Sequence, residues 1–507
     1  MHKSFIIFFL FFPLFAYCCC PAVIPCTRVE PRIYDTVGRS FMLTRSAGYD
    51  NAQYTSLWHS LIHHRNPDTR NYSGFQCISF WQDSLPSARV DRYFLINQKN
   101  KLLIAGDDLC PDMNIRDVRA EWLGLPANFH GFMGLQIRQK QLGCIFSYYI
   151  DLGLVTDIGL LKGTWFDFRL PVLVIDNTAR VCQSGIVNAP PPSQPVHDII
   201  TAFNPPNWCF GRIAGTITHI RPGDLRIDWG KTFLAEDHFE IGCYSSLSLP
   251  VGNKQDARYL FAPFTGSNGH VGIGGGVFFQ IPLNIPKNND VSFCFFLNLD
   301  GLALFKNRQY RTFDLKNKKW SRYMLYVIKN SLPGNPIPGV NLLTFETRVR
   351  PYCFADFTTG WRYISQHTEG EIGFNIWGHP TERLRVDEAF AAAKRVNNVE
   401  FGIAGQGALN PDAAPECQVA ATAHCSTINY LAPNDPLFVS VQQSDIDLKS
   451  AAAKKTITFK IHGSWGGIAH GTCVDAMFGG GFFTEFTHSN SSLSRWGIWA
   501  KVGAVIS

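Results

Sequence analysis

Charge is scarce in this chain. Only 17% of its 507 residues are Asp, Glu, Lys or Arg, against roughly 25% in ordinary soluble domains. Long apolar runs are scarce as well. Past the opening residues none approaches the ~20 a membrane-crossing helix needs, so a helical membrane protein is excluded. No Cys-x-x-Cys pair and no zinc-spaced Cys/His set occurs among the 15 cysteines. The net charge of +6 is small for this length, and no basic run with interleaved aromatics marks a nucleic-acid surface. Nucleotide loops are missing too. "VGIGGGVFF" (Val271 to Phe279) lacks the full spacing and the following helix, and "WGKTF" (Trp229 to Phe233) has Lys-Thr without loop glycines. "THSNSS" (Thr487 to Ser492) sets His488 and Ser489 side by side. On a strand they point to opposite faces, so it reads as a polar turn. With no constellation of acid, base and nucleophile, the expectation is no enzyme, no metal and no cofactor.

Aromatics are abundant at 13%, with 40 Phe, and glycines number 43. Mean hydropathy is −0.03. That combination suits strands whose apolar and polar residues alternate and cancel in any average. The N-terminus "MHKSFIIFFLFFPLFAYCCCP" has a positive start, a short apolar run and small residues, the pattern of a secretory signal over 1–20.

The alternation is plainest at the C-terminus, "SRWGIWAKVGAVIS". Trp496, Ile498, Ala500, Val502, Ala504 and Ile506 share one face, and Gly497, Trp499, Lys501, Gly503 and Val505 the other. "NLLTFETRVRP", "YCFADFTTGWRYIS", "GEIGFNIWG", "TITFKIHGSW" and "VDAMFGGGFFTEF" repeat the pattern. Runs of about ten residues match a tilted strand that crosses a bilayer, whereas soluble strands are nearer 5 or 6. The apolar face is rich in Phe, Ile and Trp. The other holds Gly, Ser, Thr and isolated charges, with few of the Lys and Glu residues of a wet soluble sheet. Lipid outside and a polar lumen inside explain both faces, and in hydrocarbon only a closed barrel satisfies every strand.

On the alternation, the "LSLPVGN" strand-to-turn segment (Leu247 to Asn253) and the strand ending the chain, the sequence resembles porin-like outer-membrane β-barrel proteins of Gram-negative bacteria. Those barrels usually finish on an aromatic residue; this chain finishes Val505-Ile506-Ser507. The expected fold is all-β, an antiparallel transmembrane β-barrel of about 14–18 strands, with long loops on one side and minor helices. Thr381 to Val396 and Asn114 to Leu123 read as the helices. The expected organisation is a signal peptide over 1–20, a periplasmic extension or plug over 21–71, and the barrel over 72–507, in the bacterial outer membrane.

Inward charges on the alternating runs are the site candidates: Arg226, Asp228, Glu346, Arg348, Arg350, Asp356, Arg362, Glu371, Lys460, Asp475, Glu485 and Lys501. Opposite charges on neighbouring strands brace a wall; facing water, they bias ion selectivity. Cys417 with Cys425 is the main disulfide candidate, and Cys182 with Cys209 the weaker one. The functional expectation is a passive channel for small hydrophilic solutes. Alternatives are a plugged barrel acting as a surface, adhesion or structural protein, and a transporter for hydrophobic compounds. Expected partners are outer-membrane lipid, small solutes and the barrel assembly machinery; nucleic acid is not among them, and a homo-oligomer is allowed.

Overall fold

The computed structural model describes residues 38–57, 73–86, 88–96, 99–108, 115–155, 158–236, 239–283, 291–329, 336–386, 400–404, 421–425 and 438–506. The expected signal peptide, most of the presumed helix over 381–396, and Cys417 lie outside them.

Twelve strands form the wall: β1 (Ser73–Ser84), β2 (His130–Asp151), β3 (Thr164–Val187), β4 (Leu225–Glu236), β5 (Phe239–Leu249), β6 (Gly272–Pro282), β7 (Val291–Leu304), β8 (Tyr352–Ser365), β9 (Thr368–His379), β10 (Thr456–Ala469), β11 (Val474–Thr487) and β12 (Arg495–Ile506). Each pairs antiparallel with the next. β12 closes on β1, from Ser73 opposite Ile506 to Ser84 opposite Arg495. The ring has no open edge, so the wall's backbone groups are paired within the protein, as hydrocarbon requires. A 12-residue strand such as β12 rises roughly 40 Å at ~3.3 Å per residue. Tilted by about 40°, it spans about 30 Å, the thickness of a bilayer's hydrocarbon core.

Twelve is fewer than the 14 to 18 strands that alternation suggests. The runs at 131–139 and 142–152 are one strand, the 22-residue β2. Two other runs leave the wall. Leu325–Ile328 joins Ile337–Pro338 and Phe401–Ile403 in a small sheet. Thr344–Arg350 joins Asn307–Thr312 and Arg383–Arg385 in another. Their apolar alternates pack on one another (Phe313, Phe345, Val349, Leu384 and Tyr326 are buried together) instead of meeting lipid. Alternation reports a two-sided strand, not what lies on its apolar side. Residues 383–385, expected to be helical, are therefore strand. The other expected helix holds only a 3₁₀ turn at Ala120–Leu123, after the strand Val118–Arg119.

The faces divide as the sequence implies. In β12, Ile498 and Val502 are more than half exposed, while Lys501 and Val505 are 1% exposed. Phe75, Trp229, Phe293, Trp361, Ile372, Phe478 and Phe482 stand on the same open outer surface. An all-round Phe/Ile/Val/Trp face of this kind is a lipid-facing surface. The Tyr and Trp rings of the wall split between the sides. Tyr148, Trp229, Trp361 and Trp465 point outward, whereas Tyr149, Trp165, Trp377 and Trp499 are buried inside.

One end of the barrel carries short links, 237–238, 366–367 and 470–473, and the other carries long ones, 85–129, 188–224, 250–271, 305–351 and 380–455. The long connections meet in a folded cap with its own apolar cluster, including Tyr93, Phe94, Phe203, Trp208, Trp320 and Tyr323. β3 rises past the end of its pairing with β4 and pairs there with Gly215–Pro222. The break between the two partners falls at Gly223, whose N–H donates to the Pro171 carbonyl at 2.7 Å.

Candidate functional site: a lumen filled by the N-terminal segment

Residues 38–57 pass from the cap into the barrel. At the cap end, the Arg39 N–H donates to the Tyr93 carbonyl (2.9 Å) and the Ser40 N–H to the Ser450 carbonyl (2.8 Å). The "RSFMLTR" stretch is extended but joins no ladder. A short helix, α1 (Asn51–Thr55), follows, with the Asp50 carboxylate accepting from the Gln53 N–H at its start. Cap and turn preferences form this local structure; the rest of its stability comes from the wall.

Three sets of polar groups fix the segment. Around Arg45, the guanidinium donates to Asp356 of β8 (2.5 Å), Asn375 of β9 (2.9 Å) and Glu485 of β11 (3.4 Å). Lys460 of β10 bonds Asp50, and Arg495 of β12 holds the other side of Glu485 at 2.7 Å. Around Tyr54, the phenol donates to Asp167 of β3 at 2.5 Å. Arg169 joins Asp167 to Asp228, Arg226 joins Asp228 to Asp300 of β7, and Tyr244 donates to Asp300. At the end of α1, Lys501 donates to the carbonyls of Tyr54 (2.9 Å) and Ser56 (2.6 Å). Arg362 reaches the Thr55 carbonyl while pairing with Glu369 and Glu371, and Ser56 donates to Glu371 at 3.0 Å. The last carbonyls of a helix lack internal partners and attract cations, and here two wall cations supply them.

Eight of the predicted inward charges therefore lie where parity puts them: Arg226, Asp228, Asp356, Arg362, Glu371, Lys460, Glu485 and Lys501 are all buried inside the barrel. They face partners rather than open water. Four do not join this site. Glu346, Arg348 and Arg350 sit on the cap strand Thr344–Arg350, opposite Tyr310, Arg308 and Arg383 respectively, because that short alternating run packs on the cap core. Asp475 lies near the turn-side end of β11, where it pairs with His470 of the link at 3.3 Å.

Sequence reasoning missed Arg45, Asp50, Tyr54, Asp167, Arg169, Asp300 and Arg495. The four on strands share the inward parity of their runs, so alternation held a signal for them. The three on residues 38–57 lie in a stretch without period. Beside α1 there remains a cavity of about 30 Å³ lined by Asn51, Tyr54, Trp165, Asp167, Arg169 and Asn298, room for about one or two waters. The Thr487–Ser494 link is structural: Ser489 and Ser491 bond each other, and Ser491 donates to the Lys455 carbonyl. Cys182 and Cys209 are separate exposed thiols, not a bridge, and Cys425 is buried in the cap with its candidate partner undescribed.

The sequence matches no protein-family model and no curated protein. Among solved structures it is similar to the COG4313 outer membrane channel from Pseudomonas putida F1 (10% identity, 87% of this chain and 100% of that one, TM-score 0.31). It is also similar to the transport unit of the autotransporter AIDA-I from Escherichia coli (6%, 90% and 98%, 0.27) and to a Pseudomonas aeruginosa FadL homologue (7%, 93% and 96%, 0.27). Likenesses of this size add nothing to what the closed ladder itself establishes.

Proposed function

We propose that the protein is an outer-membrane channel held shut by its own N-terminal segment, residues 38–57. The observation that carries this reading is the chemistry of the closure. The segment meets the wall through three sets of ion pairs and hydrogen bonds, and beside them through apolar contacts of Ala47, Tyr54 and Leu57, and of Phe41 and Leu43, with inward wall residues. Replacing apolar packing by water is costly in proportion to area. A buried ion pair gains little over its hydrated partners, because desolvation offsets most of the attraction. The polar share of this contact is therefore the part that water can replace. The secretory pattern at the N-terminus and the lipid-facing wall support the outer membrane as the location, and small hydrophilic solutes are what such a lumen passes once the segment moves. The ladder closes all round, which gives no support to a lateral exit for hydrophobic compounds. A second reading, a barrel anchoring a surface-displayed cap, draws on the cap's separate core.

Planar-bilayer recording tests the proposal. The unaltered chain is expected to be silent, and Asp50→Ala, which removes the partner that Lys460 finds on the segment, to give stepwise conductance. A folded variant lacking residues 38–57 that stays silent would overturn it and leave the anchor reading.

A further inference from the structure

Arg311 and Arg322 lie in the cap, 2% and 1% exposed. Nη2 of Arg311 donates to Gln309 (2.7 Å) and Glu382 (3.3 Å). Nη2 of Arg322 donates to Asp314 (2.8 Å) and to the Gly38 carbonyl. The Nε and Nη1 groups of both guanidiniums find no acceptor among the described residues. Both arginines line one crevice, together with Ser40, Phe41, Gln255, Tyr259, Tyr310 and Tyr323. Its enclosed part is about 10 Å³, and Tyr310, 45% exposed, stands at its open side. Buried donors without acceptors are rare in folded proteins; four such donor groups on two arginines that line one crevice are a concentration of them.

We infer that this crevice is a binding site for a compact oxyanion, a carboxylate or phosphoryl group, taken up from the long-loop side. Each buried guanidinium keeps N–H groups of the kind that carboxylate and phosphoryl oxygens accept. The two carboxylates nearby, Glu382 and Asp314, match the two arginines in charge but engage only their Nη2 groups. Burial also pushes the Arg311 guanidinium below its ordinary range, the mark of a cation short of solvation. Ser40 and Phe41 belong to the segment that fills the lumen, and the Arg311 guanidinium lies over the Phe41 ring. An anion seated here would touch the plug. The site itself follows from the cap geometry and does not depend on the channel reading.

Calorimetric titration of the full chain in detergent, with sodium phosphate in one arm and sodium acetate in the other, tests it. One saturable site for at least one probe is expected; the arm that saturates tells phosphoryl from carboxylate. Arg311→Gln and Arg322→Gln are each expected to weaken that binding at least tenfold with circular dichroism unchanged. Gln255→Glu places a carboxylate in the crevice from within. It is expected to abolish probe binding and raise the melting temperature, and it keeps the test decisive if the arginine variants do not fold. Saturation by neither probe, or equal binding by a folded variant, would overturn the inference.

Discussion

Lys501 and Val502 are adjacent in β12, yet the structure gives them opposite solvents. Lys501 is 1% exposed in the lumen, and Val502 is 54% exposed on the outer face, mid-strand between Cys77 of β1 and Phe478 of β11. Val502→Lys would put an ammonium into hydrocarbon, at a cost of about 2–4 kcal/mol near the bilayer midplane, falling to about 0–1 near the interfaces. Lys501→Met would leave the Tyr54 and Ser56 carbonyls without their donor, at about 1–3 kcal/mol for each buried unsatisfied group. The two costs belong to different events. The first falls on the barrel's insertion; the second falls on the seating of residues 38–57. Urea titration of the chain folded into lipid vesicles reads the first, and bilayer conductance reads the second. The expected result is a large loss of folding free energy for Val502→Lys without new conductance, and new conductance for Lys501→Met with the wall intact. If Val502→Lys costs less than about 0.5 kcal/mol, far below the lipid-face range, the outer face does not touch lipid and the membrane reading fails.

Burial raises the Asp91 carboxyl to about 6, while its Oδ1 accepts from the Ile137 N–H at 3.0 Å. The folded cap therefore holds that proton more tightly than the unfolded chain, and the associated stability is full below pH ~4 and lost as pH rises through ~6. Asp91→Asn should raise the melting temperature above pH 6, with the advantage fading towards pH 4; a pH-independent difference would contradict it. Cys182 and Cys209 should each take up maleimide in the unreduced protein, and mass spectrometry showing them bridged would refute the placement of the 188–224 connection.

The wall was legible because a strand's period is two and its faces meet opposite media. Lys460, Glu485 and Lys501 could be assigned inward from neighbours alone, without knowing what they touch. What fills the inward face was not legible. Arg45 meets Asp356, Asn375 and Glu485, more than 300 residues away in each case, and residues 38–46 show no period to announce it. Strand number failed for a related reason. Thr344–Arg350 alternates as cleanly as any wall strand, but its seven residues are too few to cross a bilayer at ~3.3 Å each. Length, more than pattern, separates the cap strands from the wall.

The pairing also explains why the plug and the wall need each other. A charge facing inward in a twelve-strand barrel either meets water or must find a partner that a neighbouring strand does not always offer. Arg45 alone reaches three strands, and Asp50 a fourth through Lys460. With Arg45 and Asp50 in place, Arg45, Lys460 and Arg495 stand against Asp50, Asp356 and Glu485, three charges of each sign. The wall also makes room for the segment. A Cβ on Gly479 would come within 2.7 Å of the Leu57 side chain, and one on Gly48 within 2.7 Å of Pro171. Both contacts are too close to keep, so small residues on each side of the contact set how deeply the segment seats. If the segment leaves, it takes Arg45 and Asp50 with it, and Lys460, Arg495, Asp356 and Glu485 are left facing the lumen, regaining hydration as they lose partners. On the proposed channel reading, the same wall residues serve as seal in one state and as polar lining in the other.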